Sequence, residues 1–185
     1  MALVRWVALG ALLIACSPTR EARVPSTQLS ATDGFRRALV DPATRFTVVE
    51  FFSAHCPCQA KHDARLAALA EKYRPLGVAF VAVDSEADAT IERDQGEATR
   101  RGYRYPILVD PDGAVARALH ADYATYTVLV GAGQEILFRG GIDSDRSHLR
   151  SDATPYLGNA LEDVAAGRPV RRAEAKTLGC SLMLK

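Results

Sequence analysis

The chain has 185 residues, of which 48% are apolar, and this is enough for one hydrophobic core but too short for two. Its 23 basic and 22 acidic residues leave a formal net charge of +1. This balance argues against a nucleic-acid partner, and the chain carries no strongly basic or acidic tail that would indicate a charged one.

The first 15 residues predict an export signal. Arg5 precedes an apolar run over residues 6–15, which is too short to span a bilayer but long enough for the core of a signal peptide. The run ends in Leu-Ile-Ala before Cys16, and this pattern resembles the bacterial lipobox. The resemblance implies that Cys16 is acylated and becomes the mature N-terminus, although an ordinary signal peptide or a buried N-terminal helix remains an alternative. We therefore expect a lipid-anchored protein of the bacterial cell envelope, facing the periplasm or the outside.

The residues after the signal predict a polar tether over 16–30, a domain over 31–166 and a C-terminal tail over 167–185. Within the domain, residues 33–40 predict a helix that Asp33 caps, with Phe35 and Leu39 on its apolar side. The further elements are a strand over 47–52, a helix over 57–73, a strand over 77–83, a helix over 85–101, a short strand over 106–109, a short helix over 114–119, strands over 125–130 and 135–139 that form a hairpin, and a helix over 153–166. This order predicts an α/β sandwich with a mixed sheet.

The chain has four cysteines, and acylation would use Cys16. Cys56, Cys58 and Cys180 would then lie in an exported compartment, where disulfides persist. Three thiols cannot all pair within one chain. At least one of them is therefore free, exchanging or bound to another group.

Cys56 lies between the predicted buried strand over 47–52 and the helix that follows it. Pro57 suits the first position of that helix, where its missing N–H costs nothing. The unpaired N–H groups and the positive end of the helix dipole favour a thiolate at Cys56. His55, directly before it, would favour the thiolate further in its positive form. These features predict that Cys56 is redox-active.

Residues 48–58 resemble the active-site segment of thioredoxin-like proteins, and the order of elements agrees over roughly residues 31–166. More narrowly, the chain resembles the exported redoxin branch related to the alkyl hydroperoxide reductase and thiol-specific antioxidant group. The resemblance implies a thioredoxin-like three-layer sandwich, with a central mixed β-sheet flanked by helices. Its marks, in chain order, are Cys56-Pro57, Gly141-Ile142-Asp143, an Ala-Gly-basic-Pro-Val stretch over 166–170, and Gly179-Cys180.

The cysteine spacing departs from the thioredoxin pattern, because only Pro57 separates Cys56 from Cys58. On a helix these two positions lie about 200° apart, so a bridge between them closes only if the helix start unwinds. Cys180, on a tail, has no such restriction. We expect Cys180 to be the resolving or bridging partner of Cys56, with Cys58 as the alternative and an unpaired Cys180 as a third possibility.

Two further residues follow from the resemblance. Thr125 stands where thioredoxins have a cis-proline facing the active cysteine, and this departure puts broad reductase activity on protein disulfides in doubt. Glu50 stands where thioredoxins have a buried acid. A proton-relay role for Glu50 is one interpretation, and a polar pocket or salt bridge around it is the other. His62 is expected on a solvated helix surface.

Three functions remain open. The first is a thiol–disulfide oxidoreductase that works through a mixed disulfide of Cys56. The second is a hydroperoxide reductase, although Val49 and Ser53 stand where the peroxiredoxin motif has a proline and a threonine. The third is a non-enzymatic Cu(I) carrier, although Tyr123 stands where copper-assembly relatives have a histidine and His120 comes three residues early.

The expected partners are a protein or small-molecule thiol or disulfide, or a hydroperoxide, together with a separate electron donor and the membrane that holds the anchor. No organic cofactor is expected, because no glycine-rich phosphate loop occurs at a strand–helix junction.

Overall fold

The computed structural model describes residues 23–146 and 148–185. The predicted signal peptide over 1–15, the acylation site at Cys16 and the first part of the predicted tether lie outside these residues. The elements are, in chain order, β1 (Gln28–Ala31), β2 (Arg36–Ala38), β3 (Phe46–Phe52), α1 (Pro57–Tyr73), a 3₁₀ turn (Arg74–Leu76), β4 (Val78–Asp84), α2 (Ile91–Arg101), β5 (Ile107–Val109), α3 (Ala114–Leu119), β6 (Tyr126–Gly131), β7 (Ile136–Gly141), α4 (Tyr156–Ala165) and β8 (Glu174–Ala175).

The strands form one mixed sheet in the order β2-β1-β5-β4-β3-β6-β7-β8. Strands β3, β4 and β5 are parallel to one another, whereas β6 runs antiparallel to β3 and continues into β7. Strand β3 is buried on both faces, as its unbroken run of β-forming residues predicts. Its carboxyl end, at Phe52, therefore lies in the middle of the sheet, and the loop that follows carries Cys56.

Alternate residues of β3 belong to two cores on opposite faces of the sheet. Val48 packs in a core with residues of α1 and α4, whereas Val49 and Phe51 pack in a core with residues of α3 and the C-terminal segment. Helices therefore flank the sheet on both faces. This arrangement confirms the predicted three-layer α/β sandwich.

The ends of helix α2 follow from its sequence. Thr90 caps its first turn, because the Thr90 hydroxyl accepts a hydrogen bond from the Arg93 N–H at 3.2 Å. The helix ends at Gly102, whose φ of +71° favours glycine. Helix α2 is shorter than the predicted helix over 85–101, because residues 85–90 form a loop instead.

The predicted helix over residues 33–40 is wrong, because these residues belong to a β-hairpin. Asp33 closes the turn rather than capping a helix: its Oδ1 accepts from the Phe35 N–H at 3.2 Å, and Gly34 has a φ of +86°. Phe35 is 66% exposed at the tip. Strand β1 of this hairpin pairs antiparallel with β5 and begins inside the segment that was predicted as a tether.

The C-terminal segment is packed against the domain rather than free of it. Strand β8 pairs with β7, and the side chain of Leu182 is buried. Two glycines of β7 make this approach possible. A Cβ atom at Gly140 would lie 2.0 Å from the Ala175 carbonyl oxygen, and one at Gly141 would lie 2.0 Å from Thr177 Cγ2. We predicted a tail over 167–185 that leaves Cys180 unrestricted, and this is wrong for the part that carries Cys180, because that part is packed against the domain.

Among the residues that the structure describes, no helix is both long and apolar enough to cross a bilayer.

Candidate thiol redox site

Cys56 is the N-cap residue of α1, at the junction with the central strand β3. Its Sγ accepts a hydrogen bond from the backbone N–H of Gln59 at 3.4 Å, and Pro57 occupies the first helical position. The side chain of Cys56 is only 3% exposed. The Cys56 sulfur therefore lies at the positive end of the helix dipole, against an N–H group of the first turn.

Three sulfur atoms meet at this position. The Sγ atoms of Cys56, Cys58 and Cys180 all lie within 4.8 Å of one another, and those of Cys56 and Cys180 are 2.6 Å apart. Burial first, and then contact with Cys56, raises the pKa of Cys180. In the reduced protein Cys180 therefore keeps its proton beside Cys56.

Glu50 is completely buried in the central strand β3, which ends four residues before Cys56. Tyr105 donates its hydroxyl hydrogen to Glu50 Oε2 at 2.8 Å, and the side-chain amide of Gln59 donates to Oε1. Burial raises the pKa of Glu50 to about 7, against the opposing hydrogen bond from Tyr105, and the negative charge of Asp63 raises it further. The Gln59 residue thus links Glu50 to the Cys56 sulfur through its side chain and its backbone N–H.

Thr125 lies in the loop before β6, at the position that corresponds by sequence to the cis-proline of thioredoxins. Its φ is +75°, and its N–H donates to the Phe51 carbonyl at 2.9 Å. Within the described residues every peptide bond is trans. The adjacent Ala124 N–H donates to the Cys180 carbonyl at 2.8 Å, so this loop contacts the site through the C-terminal segment.

The His55 ring is directed to an ion pair rather than left alone beside Cys56. Its Nε2 lies 3.1 Å from Asp88 Oδ2, and Asp88 is also paired with Arg93 at 2.7 Å. Arg93 first, and then His55, lowers the pKa of Asp88. A positive charge on His55 would therefore be balanced by Asp88, which weakens the expected effect of His55 on the thiolate.

Ser53, the proposed replacement for the peroxiredoxin threonine, donates its hydroxyl hydrogen to Glu86 Oε2 at 2.9 Å. Its oxygen also accepts from the His55 N–H at 3.2 Å. Both contacts hold the Ser53 hydroxyl in the loop between β3 and α1.

The expectation that His62 is solvated is wrong, because its side chain is 2% exposed. His62 Nδ1 lies 2.8 Å from the Cys58 carbonyl oxygen and Nε2 lies 3.4 Å from Asp143 Oδ1, while Arg65 also pairs with Asp143. Burial lowers the pKa of His62, but the hydrogen bonds to Asp143 and to Cys58 outweigh it and raise the pKa above its ordinary value.

Sequence reasoning therefore missed three residues around the site: Gln59, His62 and Tyr105. A signal for His62 was present, since it lies four residues before Leu66, on the same helix face as that buried leucine. Gln59 follows Cys56 by three residues, which is where an N-cap side chain meets a backbone N–H.

The sequence model of the Redoxin family matches residues 19–148. No curated protein matches the chain. Among solved structures, a hypothetical protein of Sinorhizobium meliloti 1021 is similar to 91% of this chain and 96% of its own length, with 26% identity and a TM-score of 0.81. An uncharacterized conserved protein of Geobacillus kaustophilus is similar to 89% of this chain and 92% of its own, with 28% identity and a TM-score of 0.80. A peroxidoxin of Mycobacterium tuberculosis shares the fold at 18% identity, over 80% of this chain and 93% of its own, with a TM-score of 0.57.

Proposed function

The chain belongs to the Redoxin family and is a thiol redox enzyme of the oxidoreductase or peroxidase type, and we propose that it exchanges disulfides through a Cys56 thiolate that Cys180 resolves. One observation carries this proposal: the Sγ atom of Cys180 lies 2.6 Å from that of Cys56, although the two residues are 124 positions apart. The helix N-terminus at Cys56 supports its role as nucleophile.

The reaction has two steps that conserve atoms and electrons. The Cys56 thiolate attacks a substrate disulfide, forms a mixed disulfide and releases the first substrate sulfur as a thiolate. Cys180 then loses its proton and attacks the Cys56 sulfur, which forms the Cys56–Cys180 disulfide and releases the second substrate sulfur. Two electrons pass to the substrate, and a separate thiol donor returns them to the enzyme. The same steps in reverse oxidise a substrate dithiol.

The raised pKa of Cys180 fits this order of events. Part of its cause is contact with Cys56, and the negative charge on Cys56 disappears once that sulfur is bonded to the substrate. Cys180 then loses its proton more readily, at the step where its thiolate is needed. We propose that Glu50, with a pKa of about 7, influences Cys56 through its charge, which changes near neutral pH when the carboxyl group releases its proton to solvent, while Gln59 holds both groups in place.

Steady-state kinetics with a small aromatic disulfide and with hydrogen peroxide test this proposal. Cys56→Ser should abolish both reactions, whereas Cys180→Ser should trap the mixed disulfide and stop turnover. Cys58→Ser is the matched control and should retain most disulfide turnover. If peroxide reacts much faster than the disulfide, the enzyme is a peroxidase. The hydrogen bond from Ser53 to Glu86 and the valine at position 49 argue against that outcome.

Cu(I) carriage is the second candidate function, and the three clustered sulfurs favour it. Three cysteine sulfurs within 4.8 Å of one another, which lose their protons on binding a metal, suit a soft ion such as Cu(I). Anaerobic titration with Cu(I) tests it through the ultraviolet sulfur-to-copper absorption. Saturation at one ion per chain, lost in both Cys58→Ser and Cys180→Ser, would establish a three-sulfur site. Failure to compete with a weak Cu(I) chelator would exclude carriage.

We propose that acylated Cys16 holds the enzyme on an envelope membrane. Support comes from the sequence, in which Arg5 and the apolar run over 6–15 precede Cys16. Expression in a bacterium fed with labelled fatty acid tests the proposal. The intact chain should carry label in the membrane fraction, and Cys16→Ala should lose it. Unlabelled protein without the first 15 residues would identify an ordinary signal peptide instead.

A further inference from the structure

The last residues of the chain form an extended segment that makes one antiparallel β-bridge, between Ser181 and Tyr123, and places Cys180 against Cys56. The inward positions are Cys180, Leu182 and Leu184, which pack against the core on that face, while Ser181 and Met183 are exposed. This alternation has the period of two that a strand requires. The strand therefore lies in the site in the conformation that a bound extended peptide would have, with the Cys180 sulfur against the Cys56 sulfur.

Backbone groups hold this strand on both sides. On one side the Ala124 N–H donates to the Cys180 carbonyl at 2.8 Å, and the Leu182 N–H donates to the Asp122 carbonyl at 3.1 Å. On the other side the Ala87 N–H donates to the Met183 carbonyl at 2.8 Å. These bonds do not depend on the identity of the strand's side chains. The groove, which we define as the space between residues 122–124 and Ala87, therefore accepts an extended backbone in this register.

The groove is selective at the position before the cysteine. A Cβ atom on Gly179 would lie 2.3 Å from the Ala124 carbonyl oxygen and 2.6 Å from Tyr123 Cδ2. The carbonyl oxygen is part of the backbone, so it cannot move aside as a flexible side chain would. The φ of Gly179 is not in the left-handed region, and the requirement for glycine therefore comes from this contact.

We propose that residues 179–184 are a resident substrate-like strand that gates Cys56, and that the groove admits in its place an extended polypeptide whose cysteine follows a glycine and precedes a leucine by two positions. This inference rests on the proposed function, because it assigns the substrate class of the same Cys56 site. A polypeptide disulfide reaches Cys56 only when the resident strand leaves, and the resident strand competes at the high effective concentration of a tethered group.

Three full-length variants separate the docked from the released strand. Cys180→Ser removes the competing thiol and keeps the strand in place. Adding Gly179→Ala to it releases the strand through the backbone contact. Adding Met183→Ala instead is the matched control, because the Met183 side chain is 69% exposed on the same strand. Leu182→Ser, which removes a buried anchor, offers a second route to release if Gly179→Ala does not fold.

The probe is the peptide Leu-Gly-Cys-Ser-Leu-Met with its cysteine in a disulfide with thionitrobenzoate. Attack by the Cys56 thiolate forms the Cys56–peptide disulfide and releases coloured thionitrobenzoate, which balances the exchange. The released variant should react at least about tenfold faster than the docked variant and the control. It should also prefer this peptide at least about tenfold over one with alanine for glycine, as expected for one methyl group that does not fit.

A small aromatic disulfide is the reference probe, since it needs no groove. If no variant reacts with it at Cys56, the proposed function fails. Cys56 could instead react with the small probe while the peptide rate is the same in the docked and released variants and for the glycine and alanine peptides. That result would contradict the gating role of residues 179–184 and leave the proposed function standing.

Discussion

The side-chain amide of Gln59 donates a hydrogen bond to the buried carboxyl group of Glu50. The backbone N–H of Gln59 donates to the Cys56 sulfur, so the first turn of α1 connects an acid inside the sheet to the reactive thiol. Because the pKa of Glu50 is about 7, this acid changes its charge within the pH range in which thiol exchange takes place. The pH dependence of the protein should therefore report on Glu50.

The free energy of unfolding should fall as Glu50 ionises. The pKa of Glu50 rises on folding from 4.5 to about 7, so the native state holds this proton more tightly than the unfolded chain. Stability is intact below pH 4.5 and is lost as the pH rises through 7, by about 3 kcal/mol. Urea unfolding from pH 4.5 to 8 should show this loss in the native chain and in Glu162→Gln, an exposed control, and a total loss smaller by about that amount in Glu50→Gln. If Glu50→Gln changes the free energy of unfolding equally at pH 5 and pH 8, the raised pKa of Glu50 is contradicted.

Removing the Tyr105 hydroxyl should raise the pKa of Glu50 further. The Tyr105 hydroxyl donates a hydrogen bond to Glu50 Oε2 at 2.8 Å. This bond stabilises the ionised form of the carboxyl group, so its loss favours the protonated form. Infrared titration of the buried carboxyl band should place the midpoint at a higher pH in Tyr105→Phe. Tyr156→Phe is the control, because the Tyr156 ring, on α4, lies against the Arg172 guanidinium instead. Equal midpoints in all three proteins would exclude Tyr105 as a determinant.

Installing the proline of thioredoxins should harm this protein. Thr125 has a φ of +75°, which proline cannot adopt, and its N–H bonds to Phe51. We expect Thr125→Pro to lower the free energy of unfolding by about 3 kcal/mol, from the lost hydrogen bond and the strained backbone. Thr125→Gly accepts the same φ and should cost less. Urea denaturation measures both, and a fully stable Thr125→Pro would mean that this loop readily rearranges.

His62 should give a second loss of stability at higher pH. Its pKa is raised in the folded protein, so the stability it contributes is present below pH 6.5 and is lost as the pH rises through its folded pKa. His62→Gln and Asp143→Asn should both remove this loss, because Asp143 provides the negative partner. His148→Gln, with an 80% exposed side chain, is the control. Proton NMR of the His62 ring should titrate above the ordinary histidine range, and a midpoint below it would contradict the assignment.

The sequence predicted those parts of the fold whose signals are local. The β-forming run before Cys56 predicted the central strand, and the proline after Cys56 predicted the start of the next helix. Turn residues marked the boundaries of the later elements. The hairpin over β1 and β2 was missed, because Asp33 suits a helix cap and a turn equally well, and the pairing of β1 with β5 joins residues far apart in the chain.

The sequence predicted the part of the site that is adjacent to Cys56 in the chain, because the local pattern of a strand, a cysteine and a proline indicates it. The contacts of Gln59, Tyr105 and His62 depend on packing between elements, which periodicity does not report. The C-terminal strand carried a weaker signal, since Cys180, Leu182 and Leu184 alternate with residues that proved exposed. The residues just before it dock through Ala175 and Thr177 against two glycines of β7, and no local pattern in the tail predicts that contact.

The most direct measurement is a disulfide map of the domain by mass spectrometry, after digestion without reduction, before and after one equivalent of hydrogen peroxide. The account predicts a Cys56–Cys180 link that forms on oxidation and disappears with added thiol. Cys58→Ser should keep the link, and Cys180→Ser should lose it. If Cys56 stays a free thiol under both conditions and Cys180 stays unlinked, the thiol cycle proposed for this site is contradicted and metal binding by the three sulfurs becomes the leading explanation.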